Sequence, residues 1–405
     1  MAGERGAAPT RPAGSRFGAA DFAETSDDRQ ALPRRLPLPN APTMPISDDA
    51  RAFLFDLLRT PSPTGFEAPG QRLWAGRASL ASDGVESDAY GNAWARRAGR
   101  AKTAPTVLLE AHADEIGFAV KHVEDDGFLR VDRIGGSDHA IARARHLMVL
   151  GSKGPVPAVI GNTAIHLRDR SGEEKAPKLD ELFVDVGASS RDEVAALGIR
   201  VGHPAVYPDG PAMLTQSRLT GRALDNRLGG FVLTEVLAAL DGAKAHAAEL
   251  VALNAVQEEI GGNGARMAAY RLEPDVAVVL DVTHATDSPG ISAAKHGKVE
   301  LGKGPTVTHG TVNHPAVVER LVALAEENDI PLQHESSSRF SGTDTDVIFT
   351  SRAGIPSALV SIPMRYMHST VETVDLGDVD AAVRLLTAFV QSVRADDVFT
   401  MPLLG

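Results

Sequence analysis

Four short apolar runs in this chain each lead into a carboxylate or an imidazole. Val107-Leu108-Leu109 precedes His112-Ala113-Asp114, and Val251–Val256 precedes Glu258-Glu259. Val276–Leu280 precedes Asp281, and Ala358–Ile362 is followed a few residues later by His368. Short apolar runs of this kind read as buried strands. Helical stripes lie between or after them: Leu228, Phe231, Val232, Val236, Leu237 and Leu240; Val317, Val318, Leu321 and Leu324; Val379, Ala382, Val383, Leu386 and Phe389. The alternation predicts an α/β fold, a sheet covered by helices on both faces. In open α/β sheets, ligand sites lie in the crevice beyond the carboxyl ends of the strands. Four strands would then bring ligand-type side chains to one edge, and Asp225 joins them from the start of its helix.

The rhythm breaks at about 117–214. Phe118–Val123 and Phe128–Ile134 flank Asp125-Asp126-Gly127, a hairpin signal. Short strands are expected at His146–Leu150, Val156–Ile160, Leu182–Val186 and Ala205–Tyr207, separated by glycine and proline. The segment reads as a β-rich insert, comparable to a small barrel. It divides one domain into 44–116 and 215–405. Residues 1–43 show no apolar periodicity and are expected to be a disordered tail. Glu4, Asp21, Glu24, Asp27 and Asp28 argue against an organellar targeting segment there.

Composition narrows the chemistry. The 405 residues include no cysteine, which excludes disulfides, thiolate zinc sites and a cysteine nucleophile. Any metal is left to His, Asp and Glu, the donors of a catalytic rather than a structural site. The net charge of -12 offers no basic face for nucleic acid. No apolar run approaches the roughly 18–20 residues of a membrane span, so a cytoplasmic protein is expected.

Each candidate has an ordinary reading. A strand-end His is most often solvated or structural, adjacent glutamates are usually a surface pair, and an Asp before a helix is usually an N-cap. The conjunction overrides these readings. Glu258-Glu259 follows a continuous apolar strand and precedes Gly261-Gly262, so the pair is not on a polar helix face. Adjacent carboxylates at a buried sheet edge repel unless a cation is present. Two imidazoles and this many carboxylates suffice for two divalent metals about 3.5–4 Å apart around a shared water, the equipment of an amide hydrolase. Asp114 lies two residues beyond His112 on an extended segment, and can accept its second ring N–H; Glu115 should point away.

The strings EAHADEIGF, GRALDNRLGG, VQEEIGGNGA, LDVTHATDSPG, SGTDTDVIF and PMRYMHSTVETVDL resemble the tetrahedral (TET-type) dinuclear metallo-aminopeptidases, which include glutamyl and deblocking aminopeptidases and proteins once labelled cellulases. The resemblance runs in order from about Met44 to the C-terminus. It implies a mixed-sheet α/β/α zinc-peptidase domain interrupted by a small β-barrel that governs oligomerisation, with twelve-subunit assembly expected. It implies that His112 and Asp281 hold one metal, Glu259 and His368 the other, with Asp225 between them. Glu258 would be the general base and Asp114 the supporting carboxylate. Zinc is the default ion, with cobalt or manganese as alternatives. The expected substrates are short peptides with a free N-terminus. Two positions depart from the pattern: Met364, which bears on the specificity pocket, and His309, where an Arg is expected. The rivals are a dinuclear carboxypeptidase or amidase, marked by Arg residues for a substrate carboxylate, of which only Arg365 is obviously placed, and a metal-free glycosidase working with two carboxylates. Thr343-Asp344-Thr345-Asp346 reads as a helix N-terminus rather than a cation site.

Overall fold

The computed structural model describes residues 46–101, 103–168, 176–241 and 246–401. The expected tail at 1–43 lies outside the described residues. An eight-stranded mixed sheet forms the centre. Its order is Gly84–Ser87, Ala93–Arg97, Glu249–Ala255, Thr106–His112, Val276–His284, Ser357–Met364, Thr306–His309, Gln333–Ser336. The middle four strands are mutually parallel, so their carboxyl ends share one edge.

These strands alternate between two cores, as a sheet covered on both faces must. Val107, Leu109 and Ala111 join one hydrophobic cluster and Leu108 the other; Val276, Val278 and Leu280 oppose Ala277 and Val279 in the same way. The larger cluster lies under helices Asp48–Arg59, Ala68–Ala78, Leu224–Leu240, Pro315–Glu327 and Leu376–Ser392. The smaller lies under Asn263–Leu272 and the short helix Thr345–Ile348. Local signals set the helix starts. Ser47 Oγ accepts from Ala50 N at 3.1 Å, and Asp375 Oδ1 accepts from Gly377 N at 2.8 Å.

Sequence patterning finds the four buried parallel strands and the three long helices. It misses the outer strands, whose sequences GVES and QHES are short and largely polar. Two readings are corrected by packing. Strand Val276–His284 continues three residues past Asp281, because it pairs with Ser357–Met364 along that whole length; Asp281 sits within the strand. Helix Leu224–Leu240 is buried almost all round rather than along one stripe, since helices Asp48–Arg59 and Leu376–Ser392 cover its outer side.

The insert closes into a six-stranded barrel, in the order Gly117–Val123, Leu129–Ile134, Phe183–Asp185, Gly154–Gly161, His146–Gly151, Pro204–Val206. The expected hairpin is present, with Gly127 at φ 89°, a conformation that favours glycine. Phe118, Val131, Leu147, Ile160 and Val184 fill a separate core. Ala212–Met213 pairs instead with Arg218–Gly221, which pairs with Glu372–Asp375 in a small three-stranded sheet. Among the described residues no helix is long and apolar enough to cross a membrane.

Two glycines test the packing. Gly264 opens helix Asn263–Leu272 against Val256, and a Cβ there would overlap the Val256 backbone and the Asn92 side chain. Gly76 lies on the exposed side of helix Ala68–Ala78, with open space around it. Gly76→Ala should stabilise by about 0.5–1 kcal/mol, the helix preference of Ala over Gly. Gly264→Ala should destabilise by about 1–3 kcal/mol through overpacking. Denaturant unfolding of the two variants measures both signs.

Candidate active site

The carboxyl edge of the parallel strands gathers every residue singled out there. His112 ends its strand, 2 % exposed, and Asp281 lies on the neighbouring one, 5 % exposed. Glu258 and Glu259 follow strand Glu249–Ala255. They do not stand on an extended segment with alternating directions, because Gln257 at φ 61° and Gly261 and Gly262, also at positive φ, fold the chain into a tight turn. Their side chains still diverge. Glu258 Oε2 lies 3.9 Å from His112 Nε2, while Glu259 Oε2 lies 3.6 Å from His368 Nε2.

Asp225 stands between the two imidazoles. Its Oδ1 is 3.1 Å from His112 Nε2, and its Oδ2 is 3.4 Å from His368 Nε2. Its side chain thus faces the ring nitrogens and does not cap the helix it opens. Two donor groups result: His112, Asp225 and Asp281, and Asp225, Glu259 and His368, the donor atoms of each lying within 4.8 Å of one another. Asp225 belongs to both.

The electrostatics ask for cations. Burial and the neighbouring Asp225 push the Glu259 carboxyl well above its ordinary range, against the pull of His112. Burial raises Glu258 to about 9, with His112 opposing and Asp281, Asp344 and Asp225 adding to the rise. Burial depresses the His112 imidazole, but Asp114, Asp225 and Asp281 more than reverse it and hold it well above its usual value. Glu259 Oε1 is buried without a hydrogen-bond partner. Carboxylates converging on imidazole nitrogens, with an orphaned oxygen among them, are donors suited to a pair of divalent ions.

A surrounding layer fixes these groups. Asp114, fully buried, accepts from Glu258 N at 3.0 Å, Glu259 N at 3.2 Å and Thr64 Oγ1 at 2.8 Å. Its Oδ1 is 3.5 Å from His112 Nδ1, the edge of hydrogen-bond reach. Glu115 points the other way, to Arg222, Arg227 and Ser62 N. Sequence reasoning misses Glu372, which is 2 % exposed. Its Oε1 accepts from His368 N at 3.0 Å; its Oε2 accepts from Leu224 N at 2.9 Å and Asp225 N at 3.3 Å. One carboxylate therefore ties the backbones of two ligand-type residues 143 positions apart. A lone Glu in a short strand carries no signal of this in the sequence.

The barrel also reaches the site. Gly136, just beyond barrel strand Leu129–Ile134, offers its carbonyl to His368 Nδ1 at 3.3 Å, and a Cβ on Gly136 would collide with that ring. Gly135 packs against Glu259, where a Cβ would lie 3.1 Å from its Oε2. Such a carbonyl contact fixes ring orientation and tautomer.

The groups open into a cleft of about 770 Å³. Its walls add Val282, Thr283, His284, Val347, Met367, Ser341, Thr343 and Asp346 to the donor residues, and among the described residues no Lys or Arg lines it. Arg365, the candidate for a substrate carboxylate, is held by Asp287 in a two-point ion pair at 2.8 and 2.7 Å. Met364 does not touch the cleft; it is 1 % exposed in the larger core, because its strand buries it there. His309 contacts His334 at 2.9 Å, away from the cleft. Asp344 does occupy the N-cap position of its short helix, but makes no cap hydrogen bond. Its carboxyl is buried against Glu110 instead.

Fold and cleft together define a peptidase-type hydrolase with a His/carboxylate centre. Residues 91–385 match the model of the M42 glutamyl aminopeptidase family. A lysyl aminopeptidase of Pyrococcus furiosus is 35% identical over 346 residues, covering 84% of this chain and 96% of the relative. An aminopeptidase from Desulfurococcus kamchatkensis superposes with a TM-score of 0.81 at 35% identity, covering 88% of this chain and 99% of that one. The TET1 peptidase of Pyrococcus horikoshii, which can assemble into a tetrahedron or a large octahedral shell, superposes at 0.75 with 26% identity, covering 85% and 100%. The chain belongs to peptidase family M42, of the TET-aminopeptidase type.

The contact between Gly136 and His368 gives a direct test. Gly136→Ala should displace the His368 ring while leaving the barrel closed. Metal bound per chain, measured after loading and gel filtration, should fall, with little change in melting temperature. Unchanged metal content would separate the barrel from the site.

Proposed function

We propose that this chain is a dinuclear metallo-aminopeptidase that removes N-terminal residues from short peptides. The observation that carries the reading is Asp225, whose two oxygens face two different imidazole-containing donor groups. His112, Asp225 and Asp281 would hold one ion, and Asp225, Glu259 and His368 the other, with zinc the default for such donors. Two ions so held supply carbonyl polarisation and an acidified water.

The remaining steps belong to the side chains. Glu258 stands at the edge of the first donor group and is the base: it takes the proton of the attacking water and passes it to the leaving amine. Asp114 keeps Glu258 and Glu259 in register by accepting both of their backbone N–H groups. Glu372 and the Gly136 carbonyl hold Asp225 and His368. The substrate's α-ammonium finds carboxylates here, which favours exopeptidase action. A carboxypeptidase would want a free guanidinium at the cleft, and Arg365 is already occupied. A metal-free glycosidase would leave both imidazoles without a task. The reading extends to a homo-oligomer, on the analogy of the assembling relative. The barrel is its proposed governor, and a twelve-subunit mass is expected by light scattering at micromolar concentration; a monomeric mass would refute that assignment.

Adjacent glutamates with different tasks give the sharpest test. Glu258→Gln should keep both metals and bind substrate, yet lose about 10²–10⁴ in kcat, the contribution of a general base. Glu259→Gln should lose metal first and recover part of its activity in excess metal. Metal content and kcat of each variant decide this, beside a chelated wild type that should be inactive until zinc or cobalt is restored. Full activity in metal-free protein would sink the reading.

A further inference from the structure

Resting on the aminopeptidase reading, we infer that the cleft selects peptides whose N-terminal side chain is cationic, tolerates neutral ones and rejects acidic ones, and that Asp346 reads the charge. Beside the glycines and the neutral polar Thr283, Ser341 and Thr343, and the one further imidazole, His284, the described cleft walls sort into three kinds. The donor residues and Glu258 form the floor. Val282, Val347 and Met367 are apolar. Asp346 is the one wall carboxylate that belongs to neither donor group nor base.

Asp346 is built into that wall. It is the second residue of the short helix Thr345–Ile348. Its Oδ1 accepts from Ser341 N at 2.9 Å and Ser341 Oγ at 2.8 Å, and its Oδ2 accepts from Gly342 N at 2.9 Å. These bonds hold Ser341 and Gly342, which also line the cleft. A carboxylate has about four acceptor sites, so three donors leave capacity for one more. A Lys or Arg side chain presents an apolar stem and a cationic tip, and it suits apolar walls that end on a carboxylate.

A glutamyl side chain meets the opposite situation. Among the described residues no Lys or Arg lines the cleft, where His284 is the one wall imidazole outside the donor groups, and a substrate carboxylate would be desolvated beside Asp346. A neighbouring recess of about 310 Å³ shares Val282, Thr283, Ser341 and Thr343 with the cleft. It carries Arg339 on its exposed rim, but also Glu335, which accepts from Thr283 Oγ1 at 2.8 Å and Thr306 Oγ1 at 2.6 Å. Arg339 borders that recess and not the cleft, so it does not supply the missing cation.

The test is kcat/KM of the metal-loaded enzyme on p-nitroanilides of Lys, norleucine, Gln and Glu. Lys and norleucine share a stem and differ by the charge; Gln and Glu are near-isosteric. Lys should exceed norleucine by roughly tenfold, about what one charge-assisted hydrogen bond supplies, and Glu should fall below Gln by a similar factor. High salt should shrink both ratios. Asp346→Asn should bring the Lys-to-norleucine ratio close to one, and Asp346→Glu should retain part of it. Using ratios within one enzyme separates charge reading from any general loss caused by disturbing Ser341 and Gly342. If Asp346→Asn does not fold, the wild-type ratios and their salt dependence still decide. Lys no better than norleucine, or an unchanged ratio in Asp346→Asn, overturns the inference while leaving the aminopeptidase reading intact. Glu as the best substrate, with that preference lost in Arg339→Ala, overturns it in favour of Arg339. No hydrolysis of any of the four overturns the aminopeptidase reading and the inference with it.

Discussion

Asp225 between two imidazoles is the contact on which this site depends. It brings together His112 from the end of one strand and His368 from a loop beyond another, residues 256 positions apart. A carboxylate at 7 % exposure among other carboxylates is costly unless positive charge faces it from both sides. The surroundings are arranged to keep it there. Glu372 accepts the N–H groups of Asp225 and His368 together, and Asn226 next door donates to Leu280 O at 2.7 Å, anchoring the helix start to the strand that carries Asp281. Asp225 is common to both donor groups, so its anchors bear on both.

Charge is handled differently at the neighbouring carboxylates. Glu115 is buried but its charge is answered by Arg222 and Arg227, within the protein. Glu110 and Asp344 have no such partner. Both are at most 1 % exposed, and none of their carboxylate oxygens has a donor. Burial raises Glu110 to about 8, and burial with Glu110 beside it raises Asp344 well above its usual range. The pair is tolerable when one carboxyl is protonated and donates to the other. Buried carboxylates here thus differ in what answers them: guanidinium for Glu115, no charged partner for Glu110 and Asp344, and, in the proposed reading, metal for the donor groups.

The barrel is more than an appendage. It has its own core, as the segregation of Phe118, Ile160 and Val184 from the main clusters demonstrates. Yet its Gly135-Gly136 turn packs against Glu259 and His368, and at Gly136 a Cβ would overlap the His368 ring. A segment expected to govern assembly therefore also packs on the candidate cleft, where its Gly136 carbonyl meets His368.

Much of the architecture was legible because burial on both faces of a sheet forces continuous apolar runs, and four such runs lead to His112, Glu258, Asp281 and His368. Resemblance to a known family then suggested a pairing of these residues, and the structure places His112 near Asp281 and His368 near Glu259. The polar outer strands were illegible, since GVES and QHES differ little from loops. Also hidden were Glu372, the Glu110–Asp344 pair and the approach of Gly136. Each depends on atoms distant in sequence and close in space, and a buried Glu looks the same in a string as an exposed one. Sequence by itself determined which residue types stand at the strand ends, because local burial and chain direction suffice for that. Tertiary structure alone decided which oxygen faces which nitrogen, that Arg365 is already paired, and that Asp346 rather than Met364 borders the cleft, because those outcomes follow from packing between segments that the sequence keeps apart.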